Sequence, residues 1–284
     1  MVFSCPLRST SKGNFSKRNI NHSINKLKRG LCNMLTKQFK RFTHTALATA
    51  LLLGLSQNVL SHTRLEIPVG VEGVRITNNV VIGHGCGDGT FTTKSSVVFP
   101  DGVDSIVKVN GTVSTDTIDA HVTNWGNLFQ KVLDPSVFKA EDEKTDDNGN
   151  VVGFYVKDGK MPDHYASYLK FRAGAVLFEP TSCASSVKIV LAIADICKPT
   201  TIAGFAEGKL NLWTPAVGSD YDGPGLHGFD SPATYTVTRD LAKNPLPGSC
   251  SATGDTVDLI PSAAQINRDM PIKNQKGVQI WPKP

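Results

Sequence analysis

Residues 1–61 contain no Asp or Glu, against ten Lys and Arg. The basic balance of the whole chain, +5 at pH 7, therefore belongs to that stretch, and residues 62–284 keep 20 basic side chains against 25 acidic ones, a net charge of −5. This removes the electrostatic argument for binding nucleic acid. No run of 18 apolar residues follows residue 61, so no helical membrane span is expected there. No Cys-x-x-Cys pair occurs, which argues against a thiolate metal site or a thioredoxin-type redox pair. A Gly-x-Ser-x-Gly elbow is also missing, and with it the main sign of a serine hydrolase. The glycine-rich stretch Gly83–Gly89 has no Lys after its glycines and no helical period beyond it, so a phosphate-binding loop is not expected.

What the first 61 residues do contain is a leader pattern. Lys37, Lys40 and Arg41 precede the apolar segment Thr45–Ser56, which has the length of a signal-peptide h-region and is too short to cross a bilayer as a helix. Residues 34–61 therefore read as a signal peptide with its start at Met34. Residues 1–33, rich in Ser, Asn, Lys and Arg, are either a non-native extension ahead of that start or an unusually long n-region. Val59 and Ser61 occupy the −3 and −1 positions of a cleavage site, and cutting there makes His62 the first residue of a periplasmic or secreted protein. A terminal histidine offers its backbone amine and ring Nδ1 together, closing a chelate ring on one metal ion, whereas an internal histidine offers only its imidazole. Cys5 and Cys32 leave with the leader. Cys86, Cys183, Cys197 and Cys250 remain, an even number that in an exported chain implies two disulfides, with three pairings open on spacing alone.

Downstream of His62 the pattern is short, alternating and β-branched. Strands are expected at residues 63–68, 74–82, 92–99, 106–109, 151–156, 165–171, 176–178, 187–193, 209–214 and 232–238. Asn110-Gly111 signals a two-residue type I′ hairpin. The acidic run Glu141–Gly149 offers no register that matches a calcium loop and reads as a solvated hairpin tip. With no sustained 3.6-residue period, residues 62–239 are expected to form an all-β sandwich or open barrel. Residues 240–284, rich in Pro, Asn and Ser around Cys250, are expected to form an extended C-terminal tail strapped on by one disulfide.

Three stretches in order resemble the YcnI-like family of exported bacterial copper-binding domains. They are His62 at a mature N-terminus, the His84-Gly85-Cys86 segment running on to Pro100-Asp101-Gly102-Val103, and Leu212-Trp213-Thr214-Pro215 followed by Ser231-Pro232-Ala233. The resemblance implies an immunoglobulin- or cupredoxin-like β-sandwich that holds Cu(II) through the His62 amine and Nδ1, an acidic side chain and Trp213. The family's acidic position falls where this chain has no carboxylate, leaving Asp163 and His164 as the nearest substitutes, with His84 as an alternative ligand or a supporting donor. The resemblance also implies Cys86 paired with Cys197 and Cys183 with Cys250. Its functional expectation is copper uptake, storage or delivery without catalysis, with another exported copper chaperone or an importer as partner. His121 and His227 read as exposed loop residues. Two other readings compete. A copper monooxygenase of the lytic polysaccharide type needs a second imidazole, from His164 or His227, and a flat aromatic face. A metal-free adhesion or carbohydrate-binding sandwich needs neither.

Overall fold

A computed structural model describes residues 62–284, with Asp88 excepted. The expected leader at 1–61 and its cleavage site lie outside the described residues. In chain order the strands are β1 (Arg64–Leu65), β2 (Val69–Val71), β3 (Ile76–Ile82), β4 (Phe91–Thr92), β5 (Lys94–Val98), β6 (Ser105–Val109), β7 (Thr112–Val113), β8 (Phe129–Lys131) and β9 (Phe138–Thr145). They continue as β10 (Val151–Gly159), β11 (Met161–Pro162), β12 (Ser167–Ala173), β13 (Ala184–Val190), β14 (Ala192–Ile196), β15 (Leu210–Trp213), β16 (Thr234–Thr238) and β17 (Asp255–Pro261). A single α-helix among the described residues, α1 (Ala263–Asp269), precedes the last pair, β18 (Ile272–Lys273) and β19 (Gln279–Trp281).

The fold is an all-β sandwich. Three sheets surround its core, ordered β1-β3-β12-β8, β15-β14-β5-β10-β9 and β2-β16-β13-β17-β6-β7. Strand alternation sends Val80 and Ile82 of β3, Leu169 and Phe171 of β12, Val97 of β5, Phe154 of β10, and Ile189 and Leu259 from the third sheet into one buried cluster. At its centre Phe99 and Phe129 stack with ring centroids 3.9 Å apart. The Asn110-Gly111 turn forms as expected, with positive φ at both residues and β6 paired to β7. The acidic run becomes the β9–β10 hairpin, its tip tied by the Asp146 carboxylate accepting from the backbone N–H groups of Asn148 and Asn150.

Two expectations change. The run at 187–193 is not one strand: the chain breaks at Leu191 and switches sheets, with β13 pairing with β16 and β17, and β14 with β5 and β15. Nor are residues 240–284 an extended tail. They supply β17, which lies between β13 and β6 and runs parallel to β13. They also supply Ile266, Met270, Ile272 and Trp281, which pack on the outer face of the five-stranded sheet against Val98, Ala192, Ala194, Ile196, Leu210 and Leu212. That sheet is therefore buried on both faces, which is why Leu191–Ile196 is nearly continuous in apolar residues rather than alternating. Both disulfides form in the pairing the resemblance implied, Cys86–Cys197 and Cys183–Cys250. Among the described residues no helix is long and apolar enough to cross a membrane.

Candidate functional site

The site begins with one carboxylate in an apolar strand. Asp195 sits in β14 opposite Ser95 of β5 and Asn211 of β15, and Trp213 lies two residues further along β15 on the same face. Cross-strand neighbours at that offset are within reach of long side chains. Asp195 is fully buried and accepts three hydrogen bonds: from the Ser95 hydroxyl at 2.8 Å, the Thr63 hydroxyl at 2.7 Å and the Trp213 indole N–H at 2.9 Å. Burial pushes its carboxyl above the usual range, while the three donors pull the other way. All three bonds aim a proton at oxygen, two at Oδ2 and one at Oδ1, so both carboxylate oxygens are held by donors. It fixes Trp213 in the sheet and pins Thr63, and with Thr63 the adjoining His62.

Trp213, 1 % exposed, then acts as a hub for imidazoles. The His62 ring lies 5.1 Å from it, His227 5.1 Å away and edge-on, and His84 6.3 Å away. His84 and His227 meet directly, with Nε2 atoms 3.1 Å apart. The Gly85 carbonyl lies 2.5 Å from His84 Nδ1, which must donate to it, so in a neutral His84 the Nε2 carries the lone pair and faces His227. Burial first, then the neighbouring His84 and His62, hold His227 below the ordinary imidazole range, with Glu207 opposing. A neutral imidazole is the form that binds metal.

Backbone placement explains the gathering. Cys86–Cys197 ties the loop after β3 to the end of β14, and the Asn211 side chain donates to the Gly85 carbonyl. The Gly223–Gly228 loop runs back along β15, where the His227 carbonyl accepts from Leu212 N–H and the His227 N–H donates to Glu207. Gly228, at φ +84°, passes so close that a Cβ would lie 2.6 Å from the Trp213 ring, which makes glycine a requirement there.

The expected ligands divide accordingly. His62, Trp213 and His84 come together. Asp163 and His164 do not join them: the Asp163 carboxylate takes the Gly89 N–H at 3.1 Å and pairs with His164 at 3.0 Å, and the His164 ring lies against Tyr165. Asp195 is the acidic group beside Trp213. Its signal was present in the sequence, since a lone carboxylate inside Leu191–Ile196 has to be paired if that run is buried. His227 is not an isolated loop residue, and nothing in its glycine-rich surroundings marked it. His121 is buried, with Nδ1 3.1 Å from the Ser182 hydroxyl, and lies outside the cluster.

No protein-family model matches this chain, and no curated protein does. Among solved structures, a similar chain is an uncharacterized protein from Nocardia farcinica described as having an immunoglobulin-like fold. It is 11 % identical with a TM-score of 0.34, over 62 % of this chain and 96 % of that one.

Among the described residues, no three His, Cys, Asp or Glu side chains already converge on one point as a closed metal cage. What is present is an open set: two imidazoles in contact, a third across the indole, and a carboxylate that holds the floor in place instead of reaching for a ligand. Such a set can take a cation at nitrogen lone pairs.

Proposed function

We infer that this is an exported copper-binding protein, and that the gathering of His62, His84 and His227 around Trp213 is its metal site. The donor chemistry fits copper. Nitrogen donors place Cu(II) at the top of the divalent affinity order, and the ring of His84 already presents a lone pair toward His227. His62 would add its backbone amine if the chain is cut before it, as the leader pattern expects. Asp195 serves as an anchor rather than a ligand: it is fully buried, and both of its oxygens accept from Thr63, Ser95 and Trp213. Trp213 packs the site with its ring face and edge, the indole N–H being used on Asp195. The two disulfides accord with an oxidising compartment, periplasmic or extracellular. The role is uptake, storage or delivery of copper as cargo, with a further exported copper protein as recipient, in keeping with the resemblance to the YcnI-like family.

Titration of the exported protein with Cu(II), followed by tryptophan emission and intact mass, tests this. One copper per chain, quenching of emission, and affinity lowered at least tenfold in His62→Ala and in His227→Ala are expected. A processed chain that starts elsewhere and still binds equally well, or no quenching, would overturn it. Oxygen consumption with a reductant and a polysaccharide would favour the monooxygenase reading instead.

A further inference from the structure

At the other end of the four-stranded sheet, away from the histidines, lies a polar cleft of about 500 Å³ lined by Arg75, Asn127, Gln130, Glu143 and Arg172, among others. The register explains how Arg172 comes to line it. Thr77, Arg172 and Gln130 form one cross-strand row over β3, β12 and β8, on the face opposite the core residues Val80, Leu169 and Phe129. Arg75 lies just before β3 and lines the same cleft as Arg172. Both arginines are exposed, and neither guanidinium forms a hydrogen bond or ion pair among the described residues. The carboxylate that lines the cleft, Glu143, accepts from the Lys131 N–H at Oε1 and forms no ion pair with either arginine among the described residues. Further along β12, Lys170 pairs with Asp134 at 3.4 Å, Glu66 accepts from Asn79, and Tyr168 stands exposed.

Two guanidiniums lining one cleft, neither paired among the described residues, repel each other, and each is shaped to take a carboxylate by two parallel N–H bonds. Their concentration here contrasts with the net −5 of residues 62–284. The amide groups of Asn127 and Gln130 add donors and acceptors of the kind that hydroxyls require, and the volume lies in the range of small-ligand clefts. The face lacks the apolar centre that a protein partner would need, whereas a single exposed aromatic ring, Tyr168, is enough to stack one sugar ring.

We propose that this cleft binds a sugar acid, a polyhydroxylated carboxylate, as a free monomer or as a unit of an acidic polysaccharide running along β12 toward Tyr168. The site is independent of the copper reading, and its test needs no metal. Calorimetric titration of the exported protein with galacturonate and with polygalacturonate is the direct measurement, with dextran and poly-glutamate as the neutral and non-saccharide controls.

Binding of the monomer or the polymer, weakened at least tenfold in Arg75→Gln/Arg172→Gln and unchanged in Lys139→Gln on the exposed edge strand, supports the site. If the polymer is the ligand, Tyr168→Ala weakens its binding and leaves that of the monomer unaltered. The exposed positions of these side chains predict unchanged thermal unfolding in each variant. Failure of both saccharides to bind, equal affinity in the double arginine variant, or equal affinity for dextran or poly-glutamate overturns the proposal.

Discussion

Replacing Asp195 by Ala removes the one acceptor shared by Thr63, Ser95 and Trp213. The carboxylate and its partners Thr63, Ser95 and Trp213 are all buried, so no water replaces it without a rearrangement of the sheet. A hydrogen bond to a charged group contributes about 1.5–3 kcal/mol, but the three share one anchor and its desolvation and do not add. A buried donor left unpaired costs about 1–3 kcal/mol, and because the three share one anchor the total falls short of their sum, so we expect Asp195→Ala to lose about 3–5 kcal/mol. For a domain of this size that corresponds to a fall in Tm of about 6–20 °C. Asp195→Asn keeps the volume, and its carbonyl still accepts from Trp213 while its amide reaches one hydroxyl, so a loss of about 1–2 kcal/mol is expected. Urea denaturation at pH 7 reads both. The same variants, titrated with Cu(II), report whether the anchor sets the site: Asp195→Ala should bind at least tenfold more weakly, because Trp213 and His62 both lose their tether. An Asp195→Ala protein within about 1 kcal/mol of the parent would refute the claim that this carboxylate organises the end of the core.

Acid should cost stability through His121. Burial holds its imidazole below the ordinary value, with Asp116 and Asp255 opposing, and Nε2 has no hydrogen-bond partner among the described residues. A base with a lowered folded-state pKa contributes stability above its unfolded value of about 6.5 and loses it as pH falls below that point, because the unfolded chain takes up the proton first. The difference in urea midpoint between the parent and His121→Leu should therefore shrink or reverse from pH 7.5 to pH 5, and a constant difference would contradict it. Cys183–Cys250 closes a separation of 67 residues, and Cys183→Ala/Cys250→Ala is expected to lose about 4 kcal/mol on chain-entropy grounds. A loss under about 1 kcal/mol would mean that β17 stays paired to β13 without the bridge.

The sandwich was legible in the sequence because β alternation and turn chemistry are local properties. Asn110-Gly111 specifies its hairpin by itself, and the apolar positions of β3 and β12 declare which face they bury. His62 and Trp213, singled out through the cleavage pattern and the resemblance, lie with their rings 5.1 Å apart. What the sequence could not determine were relations between distant segments. Residues 255–281 look polar and turn-rich in isolation, yet they fill a central strand position and cover a second face of the five-stranded sheet. A sheet buried on both sides can be recognised only once its cover is known. The substitution of Asp195 for Asp163 as the acid beside Trp213 follows from the pairing of β5, β14 and β15, and the meeting of His84 with His227, 143 residues apart in the chain, follows from the loop that runs back along β15. Local patterns fixed each strand's faces; only the tertiary pairing decided which imidazoles meet, because no local property of a glycine-rich loop encodes the surface it closes over.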